Sequence, residues 1–202
     1  MWASHSVHHS SQHFNLTTAF RQTWTAPVTL GWVVYLPLFA IGFHPLIIAF
    51  VKGLNLIYQF WIHTETIGKF PRWFEWTMNT PSNHRVHHAR NPRYIDANYA
   101  GVFMIWDRMF GTAVDEDEAE PCRYGLVRNI ATFNPVHIAL AEWIALGRDV
   151  TTAKRWTDRA KYLFAPPGWR PDGEALTSDI LRERWEEHVK SASKTSEPAP
   201  AE

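Results

Sequence analysis

Two stretches of the chain place three histidines at one spacing. His5-x-x-His8-His9 lies in WASHSVHHSSQHFN, and His84-x-x-His87-His88 lies in PSNHRVHHARN. Residues at i, i+3 and i+4 share one face of an α-helix, so each triplet can aim three imidazoles at one point. Neutral imidazole binds zinc, copper, iron and nickel. Without an ion, crowded imidazoles suppress one another's protonation and leave polar nitrogens to satisfy. A solvent-facing, pH-responsive histidine surface would account for one triplet, but less well for two of identical spacing on either side of an apolar segment.

The ligand set narrows the metal. No H-E-x-x-H occurs, so the zinc-protease arrangement with its glutamate base is absent. Six imidazoles exceed the ligands of one tetrahedral zinc, which predicts a two-metal centre. Histidine-rich, carboxylate-poor ligation beside an apolar pocket points to iron performing oxygen chemistry on a hydrocarbon, and two zinc ions satisfy the same ligand types. His63, in QFWIHTE, closes the apolar stretch and is a seventh candidate, because ionisable groups near a bilayer are functional candidates by default. Glu65 beside it is placed to orient an imidazole through a hydrogen bond. His13, His44, His137 and His188 lack partner spacing and are expected to play no part.

The elements that must position these groups follow from charge and hydropathy. The 202 residues amount to one domain, with zero formal charge and a single cysteine, Cys122. That composition gives no basic footprint for nucleic acid, no disulfide framework and no cysteine-based zinc site. Between Arg21 and Glu65 the only formal charge is Lys52. Residues 26–64 read as a hairpin of two apolar helices meeting at His44-Pro45, each about the minimum length that crosses a ~30 Å hydrocarbon core. The apolar stretch starts too late for a signal peptide. Trp24, Trp32, Tyr58, Trp61, Trp73 and Trp76, with Lys69 and Arg72, form an expected interfacial belt. A hairpin that enters and leaves on one side returns both triplets to the same membrane face. The expected fold is therefore all-α, a helical integral membrane domain with a histidine-rich cap on one membrane face. Further on, the acidic run at 115–120 reads as a solvated loop. FNPVHIALAEWIALGRDV reads as a helix started by Asn134 and Pro135. ILRERWEEHVK reads as a polar surface helix. The expected divisions are 1–130 for the membrane and histidine region, 131–190 for a soluble helical extension and 191–202 for a disordered tail.

The stretches WASHSVHHSSQHFNLTTAFRQTW, QFWIHTE, NTPSNHRVHHARNPRYIDANYAGVFMIWDRMFGT and YGL resemble the fatty acid hydroxylase/sterol desaturase superfamily, and within it the alkylglycerol monooxygenase-like branch. The resemblance implies a multi-pass membrane protein with a non-haem di-iron centre at the cytosolic face. It implies that O2 is activated to hydroxylate or desaturate a lipid C–H bond. Electrons would come from a separate donor, a reduced pterin or a cytochrome b5- or ferredoxin-type protein. Carried over by motif, His5, His8, His9, His84, His87 and His88 resemble metal ligands, and His63 resembles the additional histidine before the last box. Asp96, Asn98 and Asp107 match polar positions after that box and are expected to support the ligands or the fold. Asn83 stands where many relatives carry another histidine. The family's earlier H-x-x-x-H box is absent ahead of His5, so the chain is expected to be an N-terminally truncated member, whose own 202 residues lack part of the ligand set. Two other readings remain: a membrane zinc-dependent lipid hydrolase, and an inactive truncated fragment.

Overall fold

Both histidine triplets fall on helices, as their spacing predicts. The computed structural model describes residues 2–195. Helix α1 (Trp2–His9) carries His5, His8 and His9, and α6 (Pro81–His88) carries His84, His87 and His88. The start of α6 is specified locally. The Thr80 side chain accepts from the Asn83 N–H, and Pro81 occupies the first turn, where its missing donor costs nothing. Both flanks of α6 are pinned by antiparallel bridges, Met78 with Phe103 and Ala89 with Tyr124. Asn79 N–H donates to the Val102 carbonyl and Arg90 N–H to the Arg123 carbonyl, each at 2.7 Å. A buried cluster of Val86, Ala89, Tyr94 and Ala97, backed by Val114 and Cys122, packs around the helix.

The apolar stretch departs from the expected pair of helices. Its second half is one helix, α4 (Pro45–Trp61), 17 residues long and capped by His44, whose Nδ1 accepts from the Leu46 N–H at 3.2 Å. The first half is broken. After the single turn α2 (Leu16–Ala19), 3₁₀ turns at Ala26–Thr29 and Gly31–Tyr35 meet at Leu30, which has φ 56°, before the short α3 (Leu36–Ala40). Pro27 and Pro37 each remove a backbone donor, and Gly31 is a poor helix former. No helix among the described residues is long and apolar enough to cross a membrane. Yet α4 buries none of its residues, and Leu46, Ile47, Phe50, Val51, Leu54 and Ile57 stand exposed along it. Apolar exposure on that scale marks a surface that meets something apolar.

The acidic run keeps Asp115 and Glu118 exposed, as expected of a solvated loop, but it is also tied to the fold. Three of its carboxylates each hold an arginine: Asp115 with Arg108 at 2.9 Å, Glu116 with Arg85 at 2.7 Å and Asp117 with Arg93 at 2.6 Å. The Arg85–Glu116 pair is the buried one. Arg85 presents Nε and Nη2 to both carboxylate oxygens, and its Nη1 donates to the carbonyls of Thr64 and Ile67. One guanidinium thereby ties α6 to the segment that follows α4 and to the acidic run.

The C-terminal part packs back onto the histidine region. Helix α8 (Pro135–Thr152) starts as expected, with the Asn134 side chain accepting from the N–H groups of Val136 and His137. It lies against α1 and against α9 (Trp156–Phe164), and Trp143 Nε1 donates to Thr25 Oγ1 at 3.0 Å. Helix α10 (Ser178–Thr195) runs past residue 191, where a disordered tail was expected to begin. Its Arg182 donates to the Ile95 carbonyl at 2.7 Å. Residues 196–202 of that expected tail lie outside the described residues.

Candidate metal centre

Helices α1 and α6 face one another, and His63 enters from the end of α4, so seven imidazoles converge. His9 and His88 stack with ring centroids 4.3 Å apart, and His63 meets His84 edge-on at 4.3 Å. The side chains sort into two groups that could each hold an ion. His8, His63, His84 and His88 form one, and His5, His9 and His87 the other; within each group the ligand nitrogens lie within 4.8 Å of one another. All seven histidines singled out from the sequence are brought together. His13, His44, His137 and His188 belong to neither group.

The arrangement fits metal ions. Two imidazole nitrogens bound to one ion at about 2.1 Å, at angles of 90–110°, lie roughly 3.0–3.4 Å apart. In the four-histidine group, His63 Nε2 lies 3.2 Å from His8 Nε2 and 3.1 Å from His84 Nε2. In the three-histidine group, His5 Nε2 lies 2.9 Å from His9 Nε2. His63 Nδ1 faces the Gln59 carbonyl at 2.6 Å and His87 Nδ1 faces the Ala97 carbonyl at 3.3 Å. A carbonyl only accepts, so each Nδ1 carries the proton and each Nε2 offers a bare lone pair. His88 Nε2 is buried with no hydrogen-bond partner, and a buried acceptor in that state costs stability unless an ion supplies the partner.

The supporting residues differ in part from those expected. Asp107, buried on α7 (Ile105–Phe110), accepts from the N–H groups of Tyr99 and Ala100, each at 2.8 Å, and from the Thr112 hydroxyl at 2.5 Å. Asn98, held at φ 53°, donates to the carbonyls of Asn83 and Val114 and accepts from the Val114 N–H. Asn tolerates this left-handed backbone better than most side chains. Together they fix the loop whose Ala97 carbonyl faces His87. Asp96 hydrogen-bonds Tyr99, whose ring lies 6.3 Å from that of His87. It is exposed and bonds Ser178 at the start of α10. Glu65 is also exposed, and its hydrogen-bond partner is Tyr124. The group that orients His63 is the Gln59 backbone carbonyl, which no side-chain pattern announces.

Three contributors escaped the sequence reading. Phe14, 2% exposed, covers the cluster with its ring 5.0 Å from His88 and 5.5 Å from His63. Asn79, fully buried, reaches from the start of the α6 segment to the Ala100 carbonyl at 2.6 Å and lies 3.4 Å from His84 Nδ1. Arg85 sits between the histidines of α6 and anchors the helix through Glu116. The only sequence signal for the last was an arginine inside a histidine box and an acidic run downstream.

Burial is the main reason these imidazoles stay neutral. It pushes His8 down to about 3, with His63, His5 and His87 repelling its charge further, and His87 down to about 4, with His5 adding. His9, His84 and His88 are held well below the ordinary histidine value by burial and then by neighbouring rings. His5 and His63 are lowered by burial as well. Neutral imidazole is the form that ligates metals.

Residues 1–112, which include every one of the seven histidines, match the fatty acid hydroxylase family. The chain belongs to that family. The alkylglycerol monooxygenase of Xenopus tropicalis is 44% identical over 171 residues, covering 85% of this chain and 37% of that protein. The alkylglycerol monooxygenase of Homo sapiens is 42% identical with the same coverage, and that of Danio rerio is 41% identical over 180 residues, covering 89% of this chain and 39% of its own length. This family member thus spans well under half the length of these relatives. No solved structure matches it.

Proposed function

We propose that the seven-histidine cluster holds two non-haem iron ions and that the protein is a membrane-bound, O2-dependent lipid oxygenase. The observation that carries this reading is the partition of seven converging imidazoles, four of them buried, into sets of four and three. In this reading His8, His63, His84 and His88 hold one ion, and His5, His9 and His87 the other. When bound, the irons supply activation of O2, with two electrons from an external reductant, a reduced pterin or a cytochrome b5- or ferredoxin-type donor.

The chain's own residues do the remainder. The Gln59 and Ala97 carbonyls hold His63 and His87 with Nε2 toward the cluster, and Asp107 and Asn98 keep the Ala97 carbonyl in place. Phe14 excludes water from the face shared by His63, His84 and His88. His5 and His87 keep some exposure, which makes the three-histidine set the more accessible one. The exposed apolar length of α4 meets the bilayer, leaving the histidine cap at the cytosolic membrane surface.

The substrate class is an ether lipid, on the strength of the relatives named alkylglycerol monooxygenases. One oxygen atom of O2 enters the C–H bond beside the ether oxygen, and the other leaves as water with the two electrons and two protons. The resulting hemiacetal breaks its C–O bond to give an aldehyde and a free glycerol hydroxyl. The test is metal content and turnover of the purified native protein on an alkylglycerol. Iron, with aldehyde formed only when O2 and a reductant are present, is expected. Zinc as the sole metal, with O2-independent hydrolysis of a lipid amide or ester, would overturn the reading in favour of a hydrolase.

A further inference from the structure

A groove of about 420 Å³ lies between Tyr35, α3 and α4. Leu38, Phe43, Ile47, Ile48 and Val51 line it toward the start of α4, and apart from Tyr35 its polar lining is Lys52, Asn55 and Gln59, which share one stripe of the helix. We propose that this groove seats a single-chain lipid, with Asn55 and Gln59 binding its uncharged, hydroxyl-bearing end and the apolar residues taking its chain. The proposal rests on the lipid-oxygenase reading and names how that substrate is held.

Four observations carry it. Pockets for small ligands are mostly apolar with a few placed polar groups, which is the composition here. Asn55 Oδ1 accepts from Gln59 Nε2, which fixes the two amides against each other and leaves the Asn55 amino group and the Gln59 amide oxygen for a ligand. Those groups are neutral and match hydroxyls or an ether oxygen. The Lys52 ammonium lies over the Tyr35 ring, 5.7 Å from its centroid. Gly101 backs the amide pair so closely that a Cβ there would lie 3.0 Å from both the Asn55 amide atoms and Gln59 Nε2.

The polar end is also the end nearest the histidines, because the backbone carbonyl of Gln59 is the group that faces His63 Nδ1. From Ile47 to Gln59 the helix rises about 18 Å at 1.5 Å per residue, close to one leaflet of a ~30 Å hydrocarbon core. A lipid lying in the groove with its hydroxyls at Asn55 and Gln59 brings the first carbons of its chain, not its far end, to the histidine cap. The amide pair therefore positions the substrate and selects which carbon is presented.

The experiment is equilibrium binding to the native protein in neutral detergent under anaerobic conditions, so that no turnover is needed. The probes are 1-O-hexadecylglycerol, its analogue with both hydroxyls methylated, its decyl counterpart, and palmitate. The diol is expected to bind about tenfold tighter than the methylated analogue. In Asn55→Leu/Gln59→Leu that preference should vanish while the methylated analogue binds as before. Ile47→Trp, which leaves the amides untouched, should weaken the hexadecyl diol and spare the decyl one. Equal binding of diol and methylated analogue by the unaltered protein, a preference that survives the double substitution, or tightest binding of palmitate through Lys52 would each overturn the proposal. If the diol binds tightly and selectively in this way, but the same complex consumes no O2 once air and a reductant are admitted, the oxygenase reading fails and the groove assignment stands.

Discussion

His9 and His88 stack face to face, 4.3 Å between ring centroids and 18° from parallel, although His9 belongs to the three-histidine group and His88 to the four. The two groups therefore share a wall. A change in one is expected to reach the other through that stack, whereas a ligand away from it should act on its own group.

Replacing His87 by Ala is expected to leave about one metal ion per chain, because only the three-histidine group loses a ligand. His88→Ala should lower the content further, since its ring also supports His9. His137→Ala should change nothing. Elemental analysis of the purified variants decides this, and full iron content in His87→Ala would sink the two-group assignment.

Asp107→Ala should free the loop that presents the Ala97 carbonyl to His87. Metal affinity at the three-histidine group is expected to fall roughly 10- to 100-fold, as for other groups that orient a ligand, with the four-histidine group unaffected. Chelator titration that resolves the two ions would show a single weakened step. Two equally weakened steps would mean the residue acts on the whole fold.

Removing the carboxylate of Glu116 with Glu116→Ala leaves the Arg85 guanidinium buried and unpaired, with side-chain exposures of 8% and 15% before the change. Breaking a buried pair in this way costs about 3–5 kcal/mol. A denaturant midpoint shifted by less than a third of that would return the acidic run to the role of a solvated loop.

Phe14→Ala removes the ring that covers His63, His84 and His88, at an expected cost of about 3–5 kcal/mol. Hydrogen exchange should rise at the backbone of α6 at the same time. Stability unchanged within error would show that Phe14 fills space without sealing the cluster.

Acid should destabilise the metal-free protein. The unfolded chain protonates its histidines near 6.5, whereas folded His87 and His8 resist protonation until about 4 and 3. Below 6.5 the unfolded state therefore binds more protons, and stability falls as pH falls from 6.5 toward 4. Melting temperature should be flat above pH 7.5 and drop steadily below 6.5. A flat profile down to pH 5 would mean the cluster is hydrated rather than buried.

Much of the site was legible in the sequence because it rests on local periodicity. The i, i+3, i+4 spacing put His5, His8 and His9 on one helix face and His84, His87 and His88 on another, and the Asn134-Pro135 start of α8 followed from capping chemistry alone. The apolar segment was legible only in part. Its hydropathy is unbroken, but Pro27, Gly31 and Pro37 break the first helix, a local punctuation that the apolar composition of the stretch masks.

What the sequence by itself determined is which histidines are candidate ligands and the face each triplet presents, since side-chain type and helical repeat are properties of a short window. What only the tertiary structure decided is the grouping: His63 joins His8, His84 and His88, while His5 and His9 take His87. It also decided that carbonyls of Gln59 and Ala97, not the carboxylate of Glu65, hold the rings, and that Glu116 is an internal partner of Arg85. Those facts depend on segments distant in the chain meeting across α1, α4 and α6. A backbone carbonyl is the same in every residue, so no side-chain pattern can mark which one will face an imidazole.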